Sequence, residues 1–490
     1  MQDSGRSESL GNPGIVERYS SSDLAEIVIR HSQETLEPIY EVIEPELTPE
    51  ERGMLTNLKS SIEGILPVLL AKANSPPANL SDSILRFIES RKIVIPAESL
   101  QKILYYIRRD YLGYGVIDPL VLDTNVEDIS CDGPGIPIYV YHSKYQNMRT
   151  NVSFQDSRAL DSFVIRLAQL CGKQVSVSNP ILDGITPQSH RVQGIYGKDI
   201  SSRGSAFTIR LFRQKPFGPI DLLNYGTADS NILAYLWIMV ETLSSAMIVG
   251  PPGSGKTSTL NAILSFAASN TKIVSLEETR ELNIDHPNWV PNTTRSAEAS
   301  GSGIEEFSLF DLVRSAMRQR PTYIAVGEIR GAEAYALFQA MSTGHTTYST
   351  IHADSMDSLI NRLISEPMNI PKIMIPTLNI VMFTNFVRNG DSLERRITEI
   401  DELIEVDTEG DQILYNTVFR YDPSKRSFLM SQDSRLLEKF SKLKQVALPD
   451  AWSEFKRRSS MLGTLAGSSI RYRELWSIIG TYRASKPGKE

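Results

Sequence analysis

The sequence predicts an α/β protein built on a parallel sheet, and three observations carry that reading. Ala246-Met-Ile-Val249 is a short apolar run that enters the glycine-rich turn Gly250-Pro-Pro-Gly-Ser-Gly-Lys-Thr257 and then a helical stretch, Ser258–Ser265. Two further apolar runs, Ile273–Leu276 and Tyr323–Val326, follow with room for helices between them. Short apolar strands that alternate with helices build parallel sheets covered on both faces.

Bulk properties narrow the class. A chain of 490 residues holds two to four domains. Its 41% hydrophobic and 22% charged residues are ordinary for a globular protein. A net charge of −7 argues against a general nucleic-acid surface and leaves room for a local basic channel. Cys131 and Cys171 stand far apart, so a disulfide framework and a Cys₄ zinc site are excluded; they read as core thiols in a reducing cytosol. The polar, Ser-rich first twenty residues do not read as a signal peptide. The most apolar window, Ile232–Val249, is interrupted by Glu241 and reads as a buried helix followed by a strand, not a membrane span. Work at a membrane would therefore go through a partner.

Along the chain, residues 1–22 are expected to be a mobile tail and 23–125 a helical domain. Leu58, Ile62, Ile65 and Leu69 keep one helical face, Leu100, Ile103, Leu104 and Ile107 another, and Pro76-Pro77 separates them. Residues 126–213 read as an α+β domain, with strands at Ile136–Tyr141 and Ala206–Phe212 and a helix at Phe163–Cys171. The Pro/Gly-containing stretch Gln214–Pro219 opens a hinge linker, 214–226. Residues 227–430 form the main α/β domain, with mixed strands late in it at Ile397–Val406 and Leu414–Arg420. Residues 431–490 read as a helical extension, with amphipathic stretches near Leu436–Leu443 and Tyr472–Ile479.

The turn at 250–257 matches the phosphate-binding pattern G-x-x-x-x-G-K-[ST]. Gly250, Gly253 and Gly255 let backbone N–H groups converge on phosphate oxygens, and the helix that follows adds its positive dipole end at Ser258. Ser254 completes the loop. Lys256 can reach the β- and γ-phosphates, and Thr257 can hold Mg²⁺. A nucleotide hydrolase also needs carboxylates at that edge. Ile273-Val-Ser-Leu-Glu-Glu-Thr-Arg-Glu281 and Tyr323-Ile-Ala-Val-Gly-Glu328 each end an apolar strand in acid, on the same side as the loop. Two of six histidines, His345 and His352, fall in one small-residue segment. Either imidazole suits a polar sensor of the γ-phosphate, with zinc binding as the lesser alternative. Arg191, Arg203 and Arg210 precede the hinge, and closure of their domain over a nucleotide would let one or two neutralise transition-state charge.

Together, Gly250–Thr257, Glu277–Glu281, Gly327–Gly331 and Thr343–Ala353 resemble the Walker A, Asp box, Walker B and His box of the secretion ATPases of type II secretion, type IV pili and archaella. The stretches Phe307–Arg362 and Glu366–Pro371 look most like the archaeal branch. The resemblance implies a RecA-like P-loop motor domain behind an N-terminal α+β domain, assembled as a homo-hexamer, with ATP and Mg²⁺ as cofactors. It implies that Glu281, with Glu277 as the runner-up, orients the attacking water and that Glu328 acts on the Mg²⁺ shell with Thr257. It makes His352 the γ-phosphate sensor and Arg191 and Arg210 the charge-neutralising arginines. It implies a cytoplasmic enzyme, peripheral at the inner face of the cell membrane, that pushes on a polytopic membrane platform protein; no nucleic acid is expected. The sequence departs from the family in reading Glu277-Glu278 where Glu-Asp is usual. It also lacks the C-x-x-C pairs of many type II secretion members, which favours the pilus or archaellum side. The rival readings are a nucleic-acid-dependent hexameric motor of helicase type and a nucleotide-gated scaffold.

Overall fold

The computed structural model describes residues 14–32, 37–63, 78–91, 93, 95–212, 216–295, 307–390, 392–407, 412–470 and 472–484. By internal contacts the chain divides into two units, residues 1–212 and 213–490.

The first unit begins differently from the sequence expectation. Where a tail and then helices were expected, three strands come first: β1 (Ile15–Ser20), β2 (Glu26–His31) and β3 (Pro38–Ile43). Ala25, Ile27, Ile29, Tyr40 and Val42 are buried from these segments, which is why they order. These runs are short and set among charged residues, so they read as polar in a helical window. Helices α1 (Pro49–Glu63), α2 (Ala78–Ser90) and α3 (Ala97–Ile107) follow. Thr48 and Glu51 form a reciprocal cap at the start of α1: Glu51 N donates to Thr48 Oγ1 at 3.2 Å and Thr48 N to Glu51 Oε2 at 2.8 Å. Leu58 and Ile62 join Ile103 and Ile107 in one small core. Ile65, Leu69 and Pro76-Pro77 lie outside the described residues.

After the short helix α4 (Asp118–Leu122) come β4 (Val126–Cys131), β5 (Pro137–His142), β6 (Gln146–Ser153), α5 (Ser157–Leu170), β7 (Ile181–Ile185), β8 (Arg191–Ile195) and β9 (Ala206–Arg210). All nine strands form one sheet, ordered β1-β2-β3-β6-β5-β4-β9-β8-β7. The strands before residue 44 therefore share a sheet with those after 125, joined where β3 runs parallel to β6. Phe163, Val164 and Leu167 of α5 pack against Ile129, Ile138 and Ile209.

The second unit opens with α6 (Pro219–Asn224), inside the stretch expected to be linker. Gly218 N donates to Asp221 Oδ2 at 2.7 Å and starts the helix there. Then come α7 (Ser230–Glu241), β10 (Ala246–Val249), α8 (Lys256–Leu264), β11 (Ile273–Glu277), β12 (Trp289–Thr293), α9 (Leu309–Met317), β13 (Tyr323–Val326), α10 (Glu333–Ser342), β14 (Thr346–Ile351) and α11 (Met356–Ile364). Strands β15 (Ile380–Asn389), β16 (Ser392–Asp407), β17 (Gln412–Asp422) and β18 (Ser427–Met430) complete a nine-stranded sheet, ordered β12-β11-β13-β14-β10-β15-β16-β17-β18. It is parallel from β12 to β15 and antiparallel from there on. Along β10 the side chains alternate between two cores, Ala246 and Ile248 in one and Met247 and Val249 in the other. This two-sided burial explains the unbroken apolar run.

Helices α12 (Arg435–Lys444), α13 (Leu448–Gly463) and α14 (Tyr472–Ala484) close the chain. They do not stand apart as an extension: Leu437, Phe440, Phe455, Leu462 and Ile479 enter the same core as α7. α7 is apolar all round because the sheet lies on one side of it and these helices on the other. Arg458 is buried there, 2.7 Å from Glu241 and 2.9 Å from Glu454, with its guanidinium 4.3 Å from the Trp237 ring centroid. Among the described residues no helix is long and apolar enough to cross a membrane.

Candidate active site

The parallel strands β10, β11, β13 and β14 all end at one edge, and the segments singled out in the sequence leave from it. The loop after β10 turns back into α8 through Gly253 (φ +71°) and Gly255 (φ +96°), conformations that side chains resist. A side chain at Gly250 would collide with the carbonyl oxygen of Thr384, so the loop lies directly against β15. Ser254 is buried, and its Oγ is 3.0 Å from Thr384 Oγ1. Ser258, the third residue of α8, is half-buried.

Lys256 opens α8 and is only 7% exposed. Its ammonium donates to Gly250 O at 3.0 Å and Pro251 O at 2.9 Å, and it lies 3.1 Å from His352 Nδ1. Burial, helped by the Arg330 charge and opposed by Glu328 and Glu281, brings its pKa down to about 8. His352 follows β14, and its Nε2 is 3.0 Å from Glu328 Oε1. Glu328 follows β13, and its Oε2 accepts from Arg330 Nη2 at 2.7 Å. Burial pushes its carboxyl up, but Arg330, His352 and Lys256 outweigh that and hold it below the usual range. Arg362 of α11 donates to the His352 carbonyl at 2.8 Å.

The two candidate water-orienting acids are differently placed. Glu277, the last residue of β11, is 2% exposed. Its Oε1 accepts from Glu281 N at 2.9 Å and Leu282 N at 2.8 Å, while its buried Oε2 has no hydrogen-bond partner. Burial pushes its pKa up to about 7, with the Glu281 charge adding to the rise and the two backbone bonds and Arg280 opposing it. Glu281 is exposed, and its Oε2 accepts from Thr257 Oγ1 at 3.0 Å. Glu278 points into solvent, 3.9 Å from Arg330.

The structure separates the two histidines of the small-residue segment. His345 precedes β14 and lies near Thr343 Oγ1 at 3.2 Å, whereas His352 follows the strand at the loop edge. A six-residue strand spans about 20 Å, so the pair shares no metal. The three arginines belong to the first unit. Arg191 and Arg210 face each other across β8 and β9, Arg191 3.7 Å from Asp183 and Arg210 3.1 Å from Asp128. Arg203 is exposed in the turn before β9.

Residues not foreseen also meet the loop. Arg395 of β16 donates from Nε to Gly253 O at 2.7 Å. Arg330, passed over inside a recognised motif, is the principal hydrogen-bond partner of Glu328. Only the register of β15 and β16 against the loop reveals Arg395; its local sequence carries no signal.

The donor set fits a nucleotide and a hard divalent ion. It offers loop N–H groups and an ammonium for phosphate, and a hydroxyl and ionised carboxylates for the metal's oxygen-loving shell. Thr257 would hold Mg²⁺ with Glu328 beside it. When bound, the metal would neutralise charge developing on the phosphates.

Comparison with known proteins gives the family. A family model described as type II/IV secretion system protein matches residues 113–418. An uncharacterized protein of Methanocaldococcus jannaschii, MJ0900, is 37% identical over 391 residues, 79% of this chain and 70% of its own length. The type IV secretion system protein PtlH of Bordetella pertussis is 25% identical over 58% of this chain and 92% of its own. Among solved structures, the ATPase DotB of Legionella pneumophila aligns with a TM-score of 0.44 at 18% identity, over 75% of this chain and 91% of its own. The chain belongs to the type II/IV secretion system protein family, as a P-loop ATP hydrolase.

Proposed function

We propose that the chain is a homo-hexameric, Mg²⁺-dependent ATPase that powers assembly of a type IV pilus-like filament, a pilus or an archaellum. It would work from the cytoplasmic face through a polytopic membrane platform protein. The observation that carries the reading is the junction of Lys256, His352 and Glu328, which ties the phosphate loop to the ends of two other strands. In this reading Lys256 binds the β- and γ-phosphates and His352 senses the γ-phosphate. Glu328, held ionised, acts on the metal's water shell. Glu281, anchored at Thr257, orients the attacking water, and Glu277 positions the turn that carries it through the Glu281 N–H. Arg191 or Arg210 neutralises transition-state charge.

The test is ATP hydrolysis by the purified chain across protein concentrations, with and without Mg²⁺. Specific activity should rise with concentration and vanish in Lys256→Ala, which should also lose ATP binding. Glu328→Gln should bind ATP and hardly turn it over; unaltered turnover would remove Glu328 from the site. Hydrolysis that depends on single-stranded DNA would replace the filament reading with a nucleic-acid motor.

A further inference from the structure

We propose that Phe386 and Arg395 form the platform for the nucleoside half of the nucleotide. The inference rests on the ATP-binding reading and assigns the part of the ligand that the phosphate loop does not.

The β15–β16 pair continues past the edge of the parallel sheet. β10 pairs with β15 only as far as Val249 opposite Phe383, yet β15 and β16 stay paired from Thr384 to Asn389. Six residues of ribbon, about 20 Å, thus stand beyond the edge, beside Gly250–Gly255. The ribbon grips the loop through Thr384 on Ser254 and through Arg395 on the Gly253 carbonyl. The Phe386 ring ends 3.6 Å from where a Gly253 side chain would begin, and Arg395 Cδ is 3.7 Å from the same point at Gly255.

Phe386 and Arg395 are directly opposite in register, so their side chains share one face, with the guanidinium 6.0 Å from the ring centroid. Both are half-buried. A flat aromatic ring beside a planar cation is the surface on which a base stacks. Sidedness agrees. Glu277, Glu328 and His352 come from strands on one flank of β10, and Lys256 leans to that flank against His352. The γ end of a triphosphate belongs there, and the ribbon occupies the other flank, where the nucleoside end departs.

The experiment compares MgATP with inorganic tripolyphosphate, which has no nucleoside, by titration calorimetry on the full chain. The variants are Phe386→Leu, which keeps the apolar bulk, and Arg395→Lys, which keeps a donor for Gly253 O but loses the planar cation. Each should weaken ATP roughly tenfold and leave tripolyphosphate within about twofold. Parallel weakening of both ligands would make the pair a staple of the loop and overturn the proposal, as would unchanged ATP affinity in both variants. Wild-type comparison protects against a variant that fails to fold: wild type that binds tripolyphosphate as tightly as ATP has no nucleoside platform, while its phosphate site stands. Wild type that binds neither ligand would sink the ATP reading itself.

Discussion

Replacing Glu277 with Gln should stabilise the protein above neutral pH. The Glu277 carboxyl is buried and titrates near 7, up from an ordinary 4.5. A folded-state pKa above the unfolded one means the folded chain holds the extra proton between those values. Stability is therefore fully present below about pH 4.5 and declines as pH rises to about 7. Above that window the ionised form costs roughly 3 kcal/mol. Glutamine keeps an oxygen for the Glu281 and Leu282 N–H groups and removes the charge. Its amide would take the place of Oε2, which is buried without a hydrogen-bond partner, and would return about 1 kcal/mol or more of the gain. The net expectation is about 1–2 kcal/mol at pH 8, a rise of a few degrees in melting temperature, and none or a small loss at pH 5. Thermal unfolding of both proteins at pH 5, 6, 7, 8 and 9 measures this. A constant difference across the series, or a variant less stable at pH 8 than at pH 5 relative to wild type, would refute the reasoning.

Other expectations follow from the same packing. Arg458→Ala leaves Glu241 and Glu454 buried without their shared cation and should cost about 3–5 kcal/mol in urea unfolding, with Arg458→Glu costing at least as much. Burial raises the Glu241 pKa, but Arg458 and Lys444 hold it at about 2; its contribution is present above 4.5 and lost as pH falls toward 2, so Arg458→Ala should flatten acid unfolding in that window. Gly250→Ala pushes a side chain into the Thr384 carbonyl and should lose about 1–3 kcal/mol along with ATP binding. Removing residues 431–490 uncovers α7 beside Leu437, Phe440 and Phe455, and size-exclusion chromatography should then show aggregates.

Three strands of the second unit were legible because each is a short apolar run that meets glycine or acid. Ala246–Val249, Ile273–Leu276 and Tyr323–Val326 are strands as expected. The opening of the first unit was not, because β1 buries no residue and the few buried residues of β2 and β3 sit among Glu and Arg, so a helical window averages them away. The helix at 448–463 also escaped notice: its buried face includes Glu454, Arg458 and Ser459, which read as surface until their partners on α7 are known. At the site, motif spacing located Lys256, Glu328 and His352, all at one strand edge. Strand pairing alone brings Arg395 to Gly253, from a distance in sequence that no motif spans.

The junction at the loop links a lysine, a histidine and a carboxylate from three separate segments. The Lys256 ammonium has three protons and three acceptors, Gly250 O, Pro251 O and His352 Nδ1. His352 Nδ1 also lies 3.1 Å from Gly250 O, but one nitrogen cannot accept from the ammonium and donate to the carbonyl together. With Nδ1 accepting from the ammonium, the ring's Nε2 faces Glu328 Oε1 at 3.0 Å. Lys256, His352 and Glu328 thus form one continuous line of polar contacts from the loop carbonyls to the carboxylate after β13.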